Sequence, residues 1–293
     1  MKHLKQKRED ESRVMVLIDN REHPQFDLEV EHGLSFYIEV GEKSYLFDVG
    51  ATDAYYNNAK KLGINLEEVD ALFISHGHKD HTGGLPKFME INKKAKVYLS
   101  HHLEQSDFYS NRWGQSQNIT MPKNYSNIDK ERFVFIKENI ILDDCIELFT
   151  SFTDKHSLPL GNKTLYKEDS ENGSQLDTFD HEIAIKLNLK QGIIVLSSCT
   201  HNGLLNTLET MIPEDKRESV LATIGGAHLL DDCSHHTYES KEEIAAIAAQ
   251  LNKLYPNMQL ITGHCTGNEA IKTFKEVLGG QFESFYSGWY GTY

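Results

Sequence analysis

The chain reads as an α+β protein, with strands and helices interleaved around a shared core. Three observations predict this. Short runs rich in β-branched and aromatic residues, bounded by Gly and polar clusters, alternate with segments of helical periodicity. The 293 residues with 39% hydrophobic content are enough to bury a substantial core. No Gly/Ser-rich linker and no repeat at a solenoid period divides the chain, and its six prolines are scattered. A single two-layered unit over 14–293 is therefore expected, behind a polar, flexible tail over 1–13.

The elements follow in order. Val14 to Asp19, Ser35 to Val40 and Ser44 to Asp48 have strand composition, the last two joined by a turn at Gly41-Glu42-Lys43. Thr52 to Leu62 has helical spacing and stops at Gly63, a residue suited to the left-handed end of a helix. Val69 to Ile74 is a buried strand, Leu85 to Ile91 a short helix, and Ala95 to Ser100 another strand. From 103 to 140 the pattern is weak, which predicts an insertion shaping the mouth of a pocket. Glu182 to Leu189 and Gly192 to Ser197 form a hairpin about Lys190-Gln191, and Asn202 is the expected cap of a helix from Gly203 to Met211. Ser219 to Ile224 and Met258 to Thr262 are further strands. Ser240 and Glu243 form a capping box for a helix to Leu254, and Thr266 with Glu269 suggests a second for a helix to Val277.

The most informative stretch is Ser75-His76-Gly77-His78-Lys79-Asp80-His81-Thr82-Gly83-Gly84. His76, His78, Asp80 and His81 place four metal-competent side chains behind a buried strand, an N/O donor set suited to zinc and also to iron or manganese. His76 and His78, two apart, share a face, while Asp80 and His81 follow a bend and face a second point.

This His-x-His-x-Asp-His pattern after a strand resembles the metallo-β-lactamase superfamily, whose fold is an αββα four-layer sandwich with a dinuclear metal site on its rim. Val16 to Asn20, Glu31 to Ser35, Tyr45 to Gly50, Cys199 to Gly203, Gly225 to Leu229 and Gly263 to Gly267 resemble one branch of it. That branch is named after a dihydropterin-linked aminobenzene ribofuranosyl-phosphate synthase, and the likeness runs from about Val14 to about Gly279.

The resemblance implies one or two divalent transition-metal ions, the first held by His76, His78 and His201 and the second by Asp80, His81 and His264. It also implies Asp48, and Asp19 with it, as acids behind the ligating histidines. The superfamily's bridging aspartate is missing: Gly225-Gly226-Ala227-His228 stands in its place. His228 becomes either a ligand or a donor to substrate, and because an imidazole nitrogen binds one ion at a time, the second site is expected to be weaker.

The expected chemistry is hydrolysis of a phosphoester or related ester by a water that the ions acidify, with Asp80 orienting it and taking its proton. His228 and His181 are candidates for stabilising the developing charge or protonating the leaving group. A helix N-terminus expected just after His264 would favour a small anionic substrate. The alternatives are a transferase joining a dihydropterin to an aminobenzene ribosyl phosphate, as the branch name implies, and a non-catalytic ligand sensor.

A net charge of −14 argues against a nucleic-acid surface. The polar N-terminus and the absence of a long apolar run predict a cytoplasmic protein without a membrane span. Self-association into a homo-oligomer is compatible with the sequence. Cys145, Cys199, Cys233 and Cys265 are widely spaced and expected to be reduced. Cys199 and Cys265 read first as small buried residues, with a thiolate ligand as the alternative. His23, His32, His101, His102, His156, His235 and His236 lack informative spacing and are expected at the surface or in packing roles.

Overall fold

Two seven-stranded sheets carry the fold, one in each of the compact units into which the chain divides. The computed structural model describes residues 11–104, 106–122, 130–169 and 173–293. The first unit comprises Met1–His101, Thr120–Ile136 and Phe285–Tyr293, and the second His102–Ile119 and Lys137–Ser284. Strand and helix are mixed throughout, the α+β class expected.

In the first unit the strand order is Tyr290–Thr292, Arg13–Ile18, Ser35–Val40, Lys43–Phe47, Ala71–Phe73, Lys96–Ser100 and Phe133–Ile136. The first four run antiparallel and the remainder parallel. Residues 1–10 of the expected tail lie outside the described residues. Ser12 and Arg13 belong to the sheet: the Ser12 amide donates to Tyr293 O at 2.9 Å, and Arg13 pairs with both Thr292 and Glu39.

Helix α1, Ala54–Leu62, ends at Gly63 in the left-handed conformation (φ 78°). It buries Ala54, Tyr55, Asn58 and Ala59 on one stripe. Asn58 is fully buried, and its amide donates to Leu17 O and Glu29 O and accepts from Glu29 N, each at 2.8 Å. One side chain thus joins α1 to the first strand and its following loop. Helices α2, Lys79–Thr82, and α3, Leu85–Ile91, follow the strand Ala71–Phe73.

In the second unit the large sheet runs Phe282–Ser284, Gln259–Thr262, Val220–Ile224, Gly192–Ser197, Ala184–Leu189, Ile146–Phe149 and Ile140–Ile141. Its first four strands are parallel and the rest antiparallel. Helices α4, Leu204–Met211, α5, Lys241–Leu254, and α6, Asn268–Leu278, share one hydrophobic cluster with strand residues Val195, Val220 and Leu260. The capping box of α5 forms as the sequence predicts, with Ser240 and Glu243 exchanging hydrogen bonds.

The other two expected caps form differently. Gly203 stands at the N-cap of α4, while the Asn202 amide group donates to Glu182 Oε2 at 2.7 Å. The end of α6 is capped by Asp231, whose carboxylate accepts from the Asn268 and Glu269 amides at 2.8 and 3.0 Å. Thr266 Oγ1 instead accepts from the Ala227 amide. The N-cap is Gly267, one residue beyond the expected Thr266, and the donors expected to await an anion are engaged by Asp231.

The weakly patterned 103–140 segment contributes short strands. Ser106–Ser110 and Gln117–Asn118 form a four-stranded sheet with Leu165–Asp169 and Gly173–Leu176 in the second unit, and Phe133–Ile136 edges the first unit's large sheet. Residues 105 and 123–129 lie outside the described residues. No helix among the described residues is long and apolar enough to cross a membrane.

Replacing Asn58 by Ala strands one buried carbonyl and a half-buried donor and carbonyl, so it should destabilise the protein by about 2–3 kcal/mol. The urea unfolding midpoint measures this, and a loss below about 1 kcal/mol would show that α1 is held by its apolar stripe alone.

Candidate metal centre

Parallel strands deliver the candidate residues at their C-terminal ends, where open α/β sheets present side chains from loops. In the first unit Asp48 directly follows Lys43–Phe47, and Ser75 to His78 follow Ala71–Phe73. Asp48 is fully buried and has φ 64°. Its Oδ1 accepts from the Ser75 amide at 2.7 Å, and its Oδ2 accepts from Ser75 Oγ at 2.6 Å and lies 2.8 Å from His81 Nδ1. With its hydroxyl hydrogen directed to the acid, Ser75 Oγ accepts from His76 Nδ1 at 2.7 Å. One carboxylate thus keeps a proton on Nδ1 of two imidazoles and leaves Nε2 as the nitrogen that would face a metal ion.

His76, His78 and His81 are all buried. His76 Nε2 lies 3.1 Å from His78 Nδ1, close to the roughly 3.3 Å nitrogen–nitrogen edge expected of a tetrahedral zinc site with Zn–N near 2.0–2.1 Å. Within the unit these two imidazoles fit a shared ion. Asp80 and His81 sit on the single turn of α2, which starts immediately after His78. Asp80 Oδ2 is 3.3 Å from His81 Nε2 and 3.4 Å from His32 Nε2, with its side chain 19% exposed. His32 lies at the surface as expected, with its side chain 63% exposed, and from there it faces the acid. Gly83 and Gly84 permit this turn to sit low: a Cβ would lie 2.0 Å from Ala51 O at the first and 2.2 Å from Val49 O at the second.

Burial alone would push the His81 pKa down, but Asp80 and Asp48 outweigh it and hold the imidazole up at about 10. Asp19, also fully buried, accepts from the Arg21 amide at 3.0 Å while its own amide donates to Ser287 Oγ at 2.9 Å. These bonds tie the first strand to the C-terminal segment.

In the second unit Cys199 to His201 follow Gly192–Ser197, His228 follows Val220–Ile224, and His264 follows Gln259–Thr262. The ligand atoms of Cys199, His201 and His228 lie within 4.8 Å of one another, and so do those of Cys199, His264 and Cys265. His201 is held on every side. Its amide donates to Glu182 Oε1 at 2.8 Å, its Nδ1 is 3.0 Å from Asn162 Oδ1, and Asn162 Nδ2 donates to its carbonyl at 2.8 Å. Phe179 stacks on its ring with centroids 3.9 Å apart and planes 10° apart. As with His76, an anchored Nδ1 leaves the lone pair on Nε2. Burial pushes the Glu182 pKa up against the pull of its Asn202 and His201 hydrogen bonds.

The His228 and His201 ring centroids are 4.1 Å apart, and Gly161 allows the approach, since a Cβ there would fall 2.8 Å from His228 Nε2. His181 is buried against Phe108, with Nε2 3.0 Å from Asp177 Oδ2. Neighbouring Asp180 binds Lys167 at 2.8 Å; burial works to raise its pKa, and Lys167 more than offsets this. A cavity of about 620 Å³ in this unit is lined by His102, Lys137, Thr150, Ser151, Phe179 and Asn202, among others. It therefore borders the residues that position His201.

Asn162, Glu182, Phe179, Gly161 and Asp177 were not singled out by sequence reasoning as parts of the site. Asn162, Phe179, Gly161 and Glu182 reach His201 or His228 through the fold, whereas Asp177 lies only four residues before His181; only Glu182, next to His181, lay inside a segment that drew attention.

Residues 28–141 match the family described as the metallo-beta-lactamase superfamily. The chain is 31% identical over 271 residues, 88% of each protein, to the 7,8-dihydropterin-6-methyl-4-(beta-D-ribofuranosyl)-aminobenzene-5'-phosphate synthase of Methanocaldococcus jannaschii. It is similar to a crystal structure of a metal-dependent hydrolase of the beta-lactamase superfamily, with 27% identity, a TM-score of 0.77 and 96% and 98% of the two chains covered. The metallo-beta-lactamase fold protein YhfI from Bacillus subtilis shares the fold at a TM-score of 0.57 and 13% identity, with 97% and 100% covered.

The raised His81 pKa sets a pH signature for protein stripped with a chelator. A folded-state value of about 10, above the ordinary 6.5, contributes stability that is full below pH 6.5 and is lost as pH rises towards 10. The urea midpoint of stripped protein should fall across that window, and a His81→Gln variant should show a flatter profile. Equal slopes would contradict the assignment.

Proposed function

Because this chain belongs to the metallo-β-lactamase superfamily, we propose that it is a metal-dependent hydrolase acting on a phosphoester or a related small-molecule ester. The observation that carries the reading is the Asp48–Ser75–His76 relay with its branch to His81, which anchors buried imidazoles through Nδ1 and leaves Nε2 for a divalent ion to take. One or two ions are proposed, zinc first, with iron or manganese as the other candidates. In the first unit His76 and His78 would bind the first ion and Asp80 and His81 the second; in the second unit His201, His264 and His228 are candidate ligands. When bound, such an ion supplies Lewis acidity and lowers the pKa of water towards neutrality.

The remaining work falls to side chains. Asp80, partly exposed among buried imidazoles, accepts the proton of the attacking water. His228 stabilises charge developing on the substrate. His181, with its Nε2 against Asp177, is better suited to positioning this wall than to protonating a leaving group. The cavity beside Phe179 sets Lys137, Thr150 and Ser151 against the carboxylates of Glu138 and Asp180, and the end of α6 is engaged by Asp231, so the phosphorylated substrate rests on the family likeness.

The second reading, a transferase coupling a dihydropterin to an aminobenzene ribosyl phosphate, is favoured by the printed name of the Methanocaldococcus jannaschii relative. Incubating metal-loaded protein with a dihydropterin diphosphate and an aminobenzene ribosyl phosphate separates the two. A coupled product identifies the transferase. Turnover of a phosphoester panel without coupling identifies the hydrolase, and ligand binding with no turnover of either kind would contradict both and leave the sensor.

Asp80→Asn should lower turnover by about 10²-fold or more while the first ion stays bound. Unchanged turnover would remove Asp80 from its role. His228→Ala should deplete the second ion and spare the first, as read by metal content; two-ion occupancy with full activity would show that His228 has been over-read.

A further inference from the structure

We propose that the Cys199 sulfur is a metal ligand of the second unit, occupying as a thiolate the bridging place that no carboxylate fills. The inference rests on the metal-centre reading above and concerns which atoms complete it. Among the described residues of this unit, Cys199 is the one side chain common to both ligand groupings, with His201 and His228 in one and His264 and Cys265 in the other. The 4.8 Å limit on those separations is about 1 Å above the roughly 3.5 Å sulfur–nitrogen edge of a tetrahedral site with Zn–S near 2.3 Å and Zn–N near 2.1 Å. Small side-chain rotations close that gap.

Charge favours the same atom. His201, His228 and His264 are neutral when they bind a metal, so they cannot compensate a divalent ion. The buried carboxylate nearby in the chain fold, Glu182, directs Oε1 to the His201 amide and Oε2 to Asn202. A thiol that meets a metal ion loses its proton, and a thiolate sulfur has lone pairs enough for two ions where an imidazole nitrogen has one.

Geometry distinguishes the two cysteines. Cys265 Sγ donates to Cys199 O at 3.5 Å, so Cys265 keeps its proton and braces the loop. Gly226 makes room for it, since a Cβ there would fall 2.4 Å from that sulfur. Cys199 lies between the end of its strand and Thr200, whose φ of 61° turns the chain towards His201.

The test is the absorption spectrum of the full-length protein, stripped by chelator and reloaded with cobalt(II). A coordinated thiolate gives a near-ultraviolet sulfur-to-cobalt charge-transfer band in addition to the visible bands of the ion. The wild type should show this band, Cys199→Ser should lose it, and Cys265→Ser should keep it. Cobalt bound with its visible bands but without charge transfer in the wild type would overturn the proposal and leave the metal centre standing. That spectrum decides even where the Cys199→Ser variant fails to fold. A band that survives in Cys199→Ser and vanishes in Cys265→Ser would equally overturn it. A wild type that retains no cobalt would remove the metal-centre reading, and the thiolate with it.

Discussion

The carboxylate of Asp48 is the group on which the first unit's contribution to the site depends. An ionised acid taken fully out of water costs several kcal/mol unless its oxygens find donors. Asp48 meets that cost with the Ser75 amide, the Ser75 hydroxyl and His81. Those donors come from the loop and helical turn after the neighbouring parallel strand, and the Asp48 amide donates back to Phe73 O at 2.9 Å. The strand register of Lys43–Phe47 against Ala71–Phe73 therefore determines the aim of two imidazoles. A change that shifts either strand alters the site without touching a candidate ligand.

The second unit orients its histidines by other means. His201 is anchored by the neutral amide of Asn162, the ring of Phe179 and a backbone bond to Glu182. All five non-glycine residues with positive φ among the described residues, Asp48, Phe179, Thr200, His228 and His264, lie on the candidate site or its immediate supports. Such conformations cost about 1–3 kcal/mol each and persist where surrounding structure overdetermines them. For Asp48 the support is its own bonds to Ser75 and His81, and for the second unit's residues it is the shared cluster of α4, α5 and α6 with the central strands. The partners differ as well: a carboxylate and a serine hydroxyl hold the ring nitrogens of the first unit's His81 and His76, while a neutral amide holds that of His201.

Much of this was legible in the sequence because strand-to-loop transitions at parallel strand ends leave a local mark, an apolar run followed by Gly and ligating residues. His76, His78, Asp80, His81, His201, His228 and His264 all carry that mark. The illegible part consists of long-range partners. Asn162 is 39 residues from His201, and Asp231 is 37 from the α6 amide it caps, so neither can be inferred from spacing. The expected caps at Asn202 and Thr266 were local inferences defeated by tertiary competition, since Glu182 and Ala227 offered those side chains other partners. The short strands inside 103–140 escaped because two to five residues are too few to establish a period.

The central claim is that the imidazoles oriented through Asp48 hold a transition-metal ion. Anomalous diffraction from crystals of protein reloaded with zinc, recorded on either side of the zinc edge, tests it most directly. The account predicts a peak at coordination distance, about 2.0–2.2 Å, from ring nitrogens of both His76 and His78. An anomalous map with no peak at these two residues, at saturating zinc, would contradict it.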